Sequence, residues 1–180
     1  MTDNTVPLTV ISNPLTEYFW ATMAIGNNRL TQEPPSGGPG FYWFVVLDRS
    51  TLAVVFNQMQ SAGNVVPALS QFNTSDYILI VATLGLGLDR QPQGPLFDFL
   101  DINGAGRALR RLDQVATQIG CGTLGTFGYA LVGVLGNLNI PGFEAVDLVS
   151  ATAGPVLTPQ FMPTTIAGKT VYTPVELSNA

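Results

Sequence analysis

Histidine is absent from the 180 residues, cysteine occurs once (Cys121), lysine once (Lys169), and charged residues make up only 11% of the chain. Without imidazole, Ser-His-Asp and Cys-His catalysis are excluded, together with the usual histidine metal sites. A lone cysteine forms no disulfide within the chain. Its ordinary role is a buried structural thiol, and it leaves the redox compartment open. Phosphate contacts need clustered Lys and Arg, and seven basic residues against twelve acidic ones give a net charge of −5. Nucleic acid is therefore not an expected partner. No apolar run is longer than Phe41–Leu47, far short of the roughly 20 residues of a membrane span, so none is expected. Met1-Thr-Asp-Asn offers neither a basic n-region nor a continuous apolar h-region, so a signal peptide is not expected either. That leaves localisation open between the cytoplasm and release by a non-classical route.

What is present is a 46% hydrophobic chain long enough to bury a real core, and residues 1–180 read as one domain. With so few charges, its surface is built from Asn, Gln, Thr, Ser and Gly. Such a surface suits sugar binding or packing into an assembly.

Phe41–Leu47 shows no alternation and predicts a central strand covered on both faces. Asp48–Thr51 supplies a turn and Leu52–Phe56 the returning strand. Asn64 is placed to cap a short helix through Phe72, with Pro67 in its first turn and Val65, Ala68, Leu69 and Phe72 facing inward. Tyr77–Thr83 predicts the next buried strand. Leu84–Gly106 is rich in Gly and Pro, with one helical turn expected at Leu96–Leu100. Arg107–Ile119 gives the clearest helix, with Leu109, Leu112, Val115, Ala116 and Ile119 on one face and Gly120 as its cap. Phe127–Leu135 and Ala145–Val149 predict strands. Upstream, Glu17–Ile25 reads as a strand ended by a turn at Gly26-Asn27-Asn28, and Thr31–Gly40 as a loop. The tail from Gly154 reads as extended, ending in a short strand at Thr170–Tyr172.

Few constellations carry chemistry. Gly85-Leu-Gly87 and Gly104-Ala-Gly106 lack the third glycine of a dinucleotide fingerprint, where Arg90 and Leu109 stand. Asp101-Ile-Asn103-Gly104 begins like a calcium loop. It fails at Ala105 and again at Leu112, where a closing Glu is required, and helix capping by Asn103 or Asp101 explains the segment better. No metal and no cofactor are expected. Glycoside hydrolysis needs two acids at a set separation, and nothing in the spacing of Asp89, Asp98, Asp101, Glu144 and Asp147 singles out a pair. Arg107, Arg110 and Arg111 form a basic patch suited to an anion or to solvent. Tyr18, Trp20, Tyr42 and Trp43 suit sugar stacking or core packing.

The order of elements from residue 40 to 145 resembles the interleukin-like EMT inducer (ILEI) domain family. The segments that carry the resemblance are Gly40–Leu47, Leu52–Asn57, Asn64–Phe72, Tyr77–Thr83, Arg107–Gly120, Phe127-Gly-Tyr-Ala-Leu-Val-Gly-Val-Leu-Gly136 and Gly142-Phe-Glu144. The chain looks like a divergent member. The family's disulfide cysteines are absent, and Gly85–Gly106 looks like an insertion. Gln58-Met-Gln-Ser-Ala-Gly-Asn64 replaces the family's acidic-Trp-Gly-Asp stretch. The resemblance implies an ILEI-like fold, and the family includes secreted signalling proteins and a glycan-binding stem domain of a glycosyltransferase.

The expected fold is α/β or α+β, with two curved sheets packed together and two flanking helices. The expected function is a non-catalytic binding module, probable ligand class carbohydrate, with a protein partner as the other option. Its candidate site residues are Asn57, Gln58, Asn64, Asp89, Arg90, Asp98, Asp101 and Arg107. The alternative is a structural subunit of a virion or multi-protein particle, with homo-oligomerisation in view.

Overall fold

The apolar run at Phe41–Leu47 is the spine of the molecule. All seven residues are buried, and their side chains divide by parity between two cores. Tyr42, Phe44 and Val46 pack with Leu96, Leu100, Leu109 and Leu112, whereas Trp43, Val45 and Leu47 pack with Leu8, Val10, Met23 and Phe161. A strand alternates its side chains between faces, so a run without polar interruption belongs in a middle layer. Each such side chain contributes roughly 1.5–3 kcal/mol when fully buried.

The computed structural model describes residues 5–14, 20–33, 40–119, 125–136, 140–148 and 154–176. In chain order the elements are β1 (Val6–Ile11), β2 (Ala21–Ile25), β3 (Asn28–Gln32), β4 (Phe41–Asp48), β5 (Val54–Gln60), β6 (Tyr77–Leu84), β7 (Leu86–Gly87), α1 (Pro95–Ile102), α2 (Arg107–Ile119), β8 (Thr126–Val134), β9 (Phe143–Asp147), β10 (Val156–Leu157), β11 (Gln160–Ile166) and β12 (Lys169–Val175). They form two antiparallel six-stranded sheets. The outer sheet runs β12-β11-β1-β2-β3, with β10 also on β1. The central sheet runs β5-β4-β6-β8-β7, with β9 also on β8. The outer sheet covers one face of the central sheet, and α1 and α2 supply the apolar cover of the other. The fold is thus α+β and mostly β, with two packed sheets and two helices.

Two polar devices join the sheets. Where the β6–β8 ladder ends at Ala82 and Ala130, the Ser12 hydroxyl donates to Thr83 O at 2.6 Å and accepts from Tyr129 N at 3.1 Å. Asn13 N donates to Thr83 O at 2.9 Å, which carries the chain from the outer sheet into the central one. At the other device Arg49, in the β4–β5 turn, donates to Tyr172 O at 2.7 Å, Thr173 Oγ1 at 2.7 Å and Ser75 O at 3.0 Å. Buried backbone carbonyls need such donors, because leaving one unpaired costs about 1–3 kcal/mol.

Several elements depart from expectation. The helix expected over Asn64–Phe72 is only a 3-10 turn at Ser70–Phe72. Val66 precedes Pro67, whose ring disfavours the α conformation there, and Gln60 Nε2 donates to Ala62 O and Val65 O instead. Leu69 and Phe72 are buried as expected, but Val65 and Ala68 are exposed. Strand β5 starts later and runs longer than Leu52–Phe56, because Leu52 takes φ +58° to close the turn onto Asp48. Residues 31–32, expected in a loop, belong to β3, which the Gly26-Asn27 turn folds back on β2. The turn expected at Leu96–Leu100 is the eight-residue α1. The tail is a full hairpin, β11–β12, closed by Ala167 and Gly168 at φ +48° and +78°. Helix α2 matches its expected bounds. Glu17–Phe19, the greater part of the 31–40 loop, Gly120 and Cys121 lie outside the described residues.

Candidate functional site

The loop that follows β5 and the 3-10 turn at Leu88–Arg90 meet through backbone. Gln93 N donates to Gly63 O at 2.8 Å, and a Cβ on Gly63 would stand 2.4 Å from the carbonyl oxygens of Arg90 and Gln91. Only glycine permits that approach. From beneath, the buried Tyr42 hydroxyl donates to Arg90 O at 2.5 Å. Burial raises the Tyr42 pKa well above that of an exposed phenol, so it stays a neutral donor. Leu88 and Pro92 are buried and anchor the segment between them.

Above this join lies a cleft of about 290 Å³, whose polar walls come from Ser61, Asn64, Asp89, Arg90, Gln91 and Gln93. Gln91 is 4% exposed. Its Nε2 donates to Asp113 Oδ1 of α2 at 3.4 Å, while its Oε1 is buried with no hydrogen-bond partner among the described residues. Buried polar atoms are nearly always paired, and Gln91 also belongs to the wall of the cleft. Asp89 and Arg90 stand 4.0 Å apart with side chains about half exposed, close enough to interact weakly while facing solvent. The cleft thus offers amide donors and acceptors, a carboxylate and a guanidinium. Among the acids only Asp89 lines it, whereas hydrolysis by paired acids needs two.

Three sequence-predicted site residues, Asn64, Asp89 and Arg90, come together here. The other five do not line the cleft. Asn57 lies on β5, and its Oδ1 accepts the Trp43 indole N–H at 2.7 Å. Gln58 is exposed on the opposite face of the same strand. Asp98 is exposed on α1, Asp101 pairs with Arg110 at 2.6 Å, and Arg107 is exposed at the start of α2. Neither Asp101 nor Asn103 caps α2. Glu144 does so from β9, accepting from Ala108 N at 2.6 Å and Leu109 N at 3.1 Å. Asn103 instead holds the α1 end, donating to Phe99 O and accepting from Gly136 N, both at 2.8 Å. Among the described residues no group of three acids, histidines or cysteines could hold a metal, and no helix is long and apolar enough to cross a membrane. Tyr42 and Trp43 belong to the cores and Tyr18 lies outside the described residues; Trp20 is 47% exposed.

Sequence reasoning missed Ser61, Gln91 and Gln93. Gln91-Pro-Gln93 was visible as a polar interruption of the Gly- and Pro-rich stretch, but the burial of Gln91 depends on Asp113, distant in sequence.

No family model and no curated protein matches this chain.

Proposed function

We propose that the chain is a non-catalytic carbohydrate-binding module on an ILEI-like scaffold, with the Asn64–Asp89–Arg90–Gln91 cleft as its site. The observation that carries this reading is a cleft lined by amides and by charges of both signs, Asn64, Gln91, Gln93, Asp89 and Arg90. Sugars present rows of hydroxyls, each both donor and acceptor, and amide, carboxylate and guanidinium groups satisfy them in pairs. At about 290 Å³ the cleft sits at the small end of ligand sites, roughly 300–1,000 Å³, which suits a mono- or disaccharide unit. The ILEI-like placement is supported by the succession β4, β5, β6, α2, β8 with α1 inserted before α2.

A glycan array probed with the full chain is expected to yield a hit. Calorimetry with that glycan is expected to show roughly tenfold or greater weakening in Asn64→Ala, equivalent to about 1.4 kcal/mol. Asn64 is exposed, so the variant is expected to keep its melting temperature. No retained glycan from a folded protein would overturn the reading.

A second reading, a subunit that associates with copies of itself, is favoured by a separate observation. Strand β5 ends the central sheet, and among the described residues its outer edge has no strand partner and carries no charge.

A further inference from the structure

We propose that a second pocket, between the β4–β5 turn and the tip of the β11–β12 hairpin, binds a free α-amino acid with an apolar side chain. The proposal is independent of the glycan site, with which the pocket shares no residue.

The pocket has a volume of about 440 Å³, inside the usual range of roughly 300–1,000 Å³ for small-ligand sites. Backbone ties its walls together: Arg49 N donates to Asp76 O and Tyr172 N donates to Arg49 O, both at 2.8 Å. Walls fixed in this way are set before a ligand arrives.

Three kinds of chemistry line it. On the basic side, Arg49 spends three of its five N–H groups on Tyr172 O, Thr173 Oγ1 and Ser75 O, which leaves two. Exposed Lys169 adds an ammonium, and Thr170 adds a hydroxyl. On the acidic side, four donors from Ser50 and Thr51 converge on Asp48 Oδ1 at 2.6 to 3.0 Å, so that carboxylate serves the turn. Exposed Asp76 is less engaged, and its side chain accepts one long hydrogen bond, from Thr74 Oγ1 at 3.4 Å. Asp76 acts on the Arg49 charge through space, yet neither Asp76 nor Lys169 is in an ion pair among the described residues. The apolar side is the hairpin face on which Ile166, 57% exposed, lies opposite Lys169, with Val171 beside it.

This arrangement selects its ligand by charge. A metal ion would meet two carboxylates beside two cations, and an inorganic anion would meet the reverse. A neutral sugar would leave Asp76 and Lys169 unanswered. A quaternary ammonium favours an exposed aromatic face. Tyr77, the one ring among the described residues of the pocket, instead packs edge-on to Phe72 at 5.1 Å. An α-amino acid answers every wall. Its ammonium meets Asp76, its carboxylate meets Lys169 and Arg49, and its side chain lies on Ile166 and Val171.

Amide chemical-shift titration of the full chain with L-leucine tests the proposal. Saturable shifts are expected at residues 48–50, 75–77 and 166–171. L-leucinamide keeps only the ammonium and 4-methylpentanoate only the carboxylate, and each is expected to bind at least about tenfold more weakly. Asp76→Asn and Lys169→Gln, both at exposed positions, are each expected to weaken leucine binding roughly tenfold with the melting temperature unchanged. No saturable shift with leucine overturns the proposal and leaves the glycan reading standing. Either analogue binding as tightly as leucine overturns recognition of both charges. Leucine binding indifferent to both substitutions overturns this pocket as the site.

Discussion

Glu144 shows how one side chain can connect three elements. From β9 it accepts the free Ala108 and Leu109 N–H groups at the start of α2, and the Tyr129 hydroxyl of β8 donates to its Oε2 at 3.1 Å. Arginines 107, 110 and 111 sit poorly against the positive end of the helix dipole, and Glu144 brings the missing negative charge from across the fold. Glu144→Ala is therefore expected to lower unfolding free energy by about 2–3 kcal/mol, through loss of the cap and an orphaned buried hydroxyl. Exposed Arg107→Ala should shift it by no more than about 0.5 kcal/mol. Urea titrations compare the two; equal effects would remove Glu144 from its role. The two buried tyrosines add a pH limit. Burial first, then the nearby Glu144 carboxylate, raises the Tyr129 pKa well above the ordinary phenol value, and burial alone raises that of Tyr42. A folded-state pKa above the unfolded one contributes stability that is fully present below the unfolded value, near 10, and lost as pH rises through the folded value. Alkaline melts should lose stability from about pH 10 upward, and tyrosinate absorbance should show two of the five tyrosines ionising only on unfolding. Smooth titration of all five in the folded protein would contradict this.

At the scale of elements, helix docking depends on close backbone approach. Gly133, in β8, faces the α1–α2 junction, and a Cβ there would stand 2.1 Å from Asn103 O. Backbone cannot swing aside as a side-chain tip can. Gly133→Ala is expected to cost about 3 kcal/mol or more, at the upper end for one substitution. A melting temperature within a degree or two of the parent would show that the helices do not dock there. The same scale explains what the sequence made legible. Strand β4 and helix α2 carry strong periodic or unbroken apolar signals, and their predicted bounds hold to within a residue. Strand β1 went unseen because its Leu8–Thr9–Val10 alternation is short and begins beside a proline. The β11–β12 hairpin was masked by Pro163 and Pro174, both of which an outlying hairpin tolerates. Helical spacing in Asn64–Phe72 gave way to the local veto of Pro67 and to the Gln60 side chain.

For the molecule as a whole, the middle sheet carries the segments that frame the cleft, one following β5 and one following β7. Strand β5 ends at Gln60 and the cleft begins at Ser61. Part of the cleft was readable from composition, since Asn64, Asp89 and Arg90 stood out as polar groups in irregular stretches. Gln91 did not, because its meaning lies in burial against α2. Asn57 and Asp101 attracted attention for the right chemistry, but the fold uses them for Trp43 and Arg110. Amide chemical-shift mapping of the full chain during titration with its best array glycan tests the cleft as the sugar site most directly. Saturable shifts concentrated at residues 61–64 and 89–93, lost in Asn64→Ala, are expected. Shifts confined to another face, or none with any glycan, would contradict it.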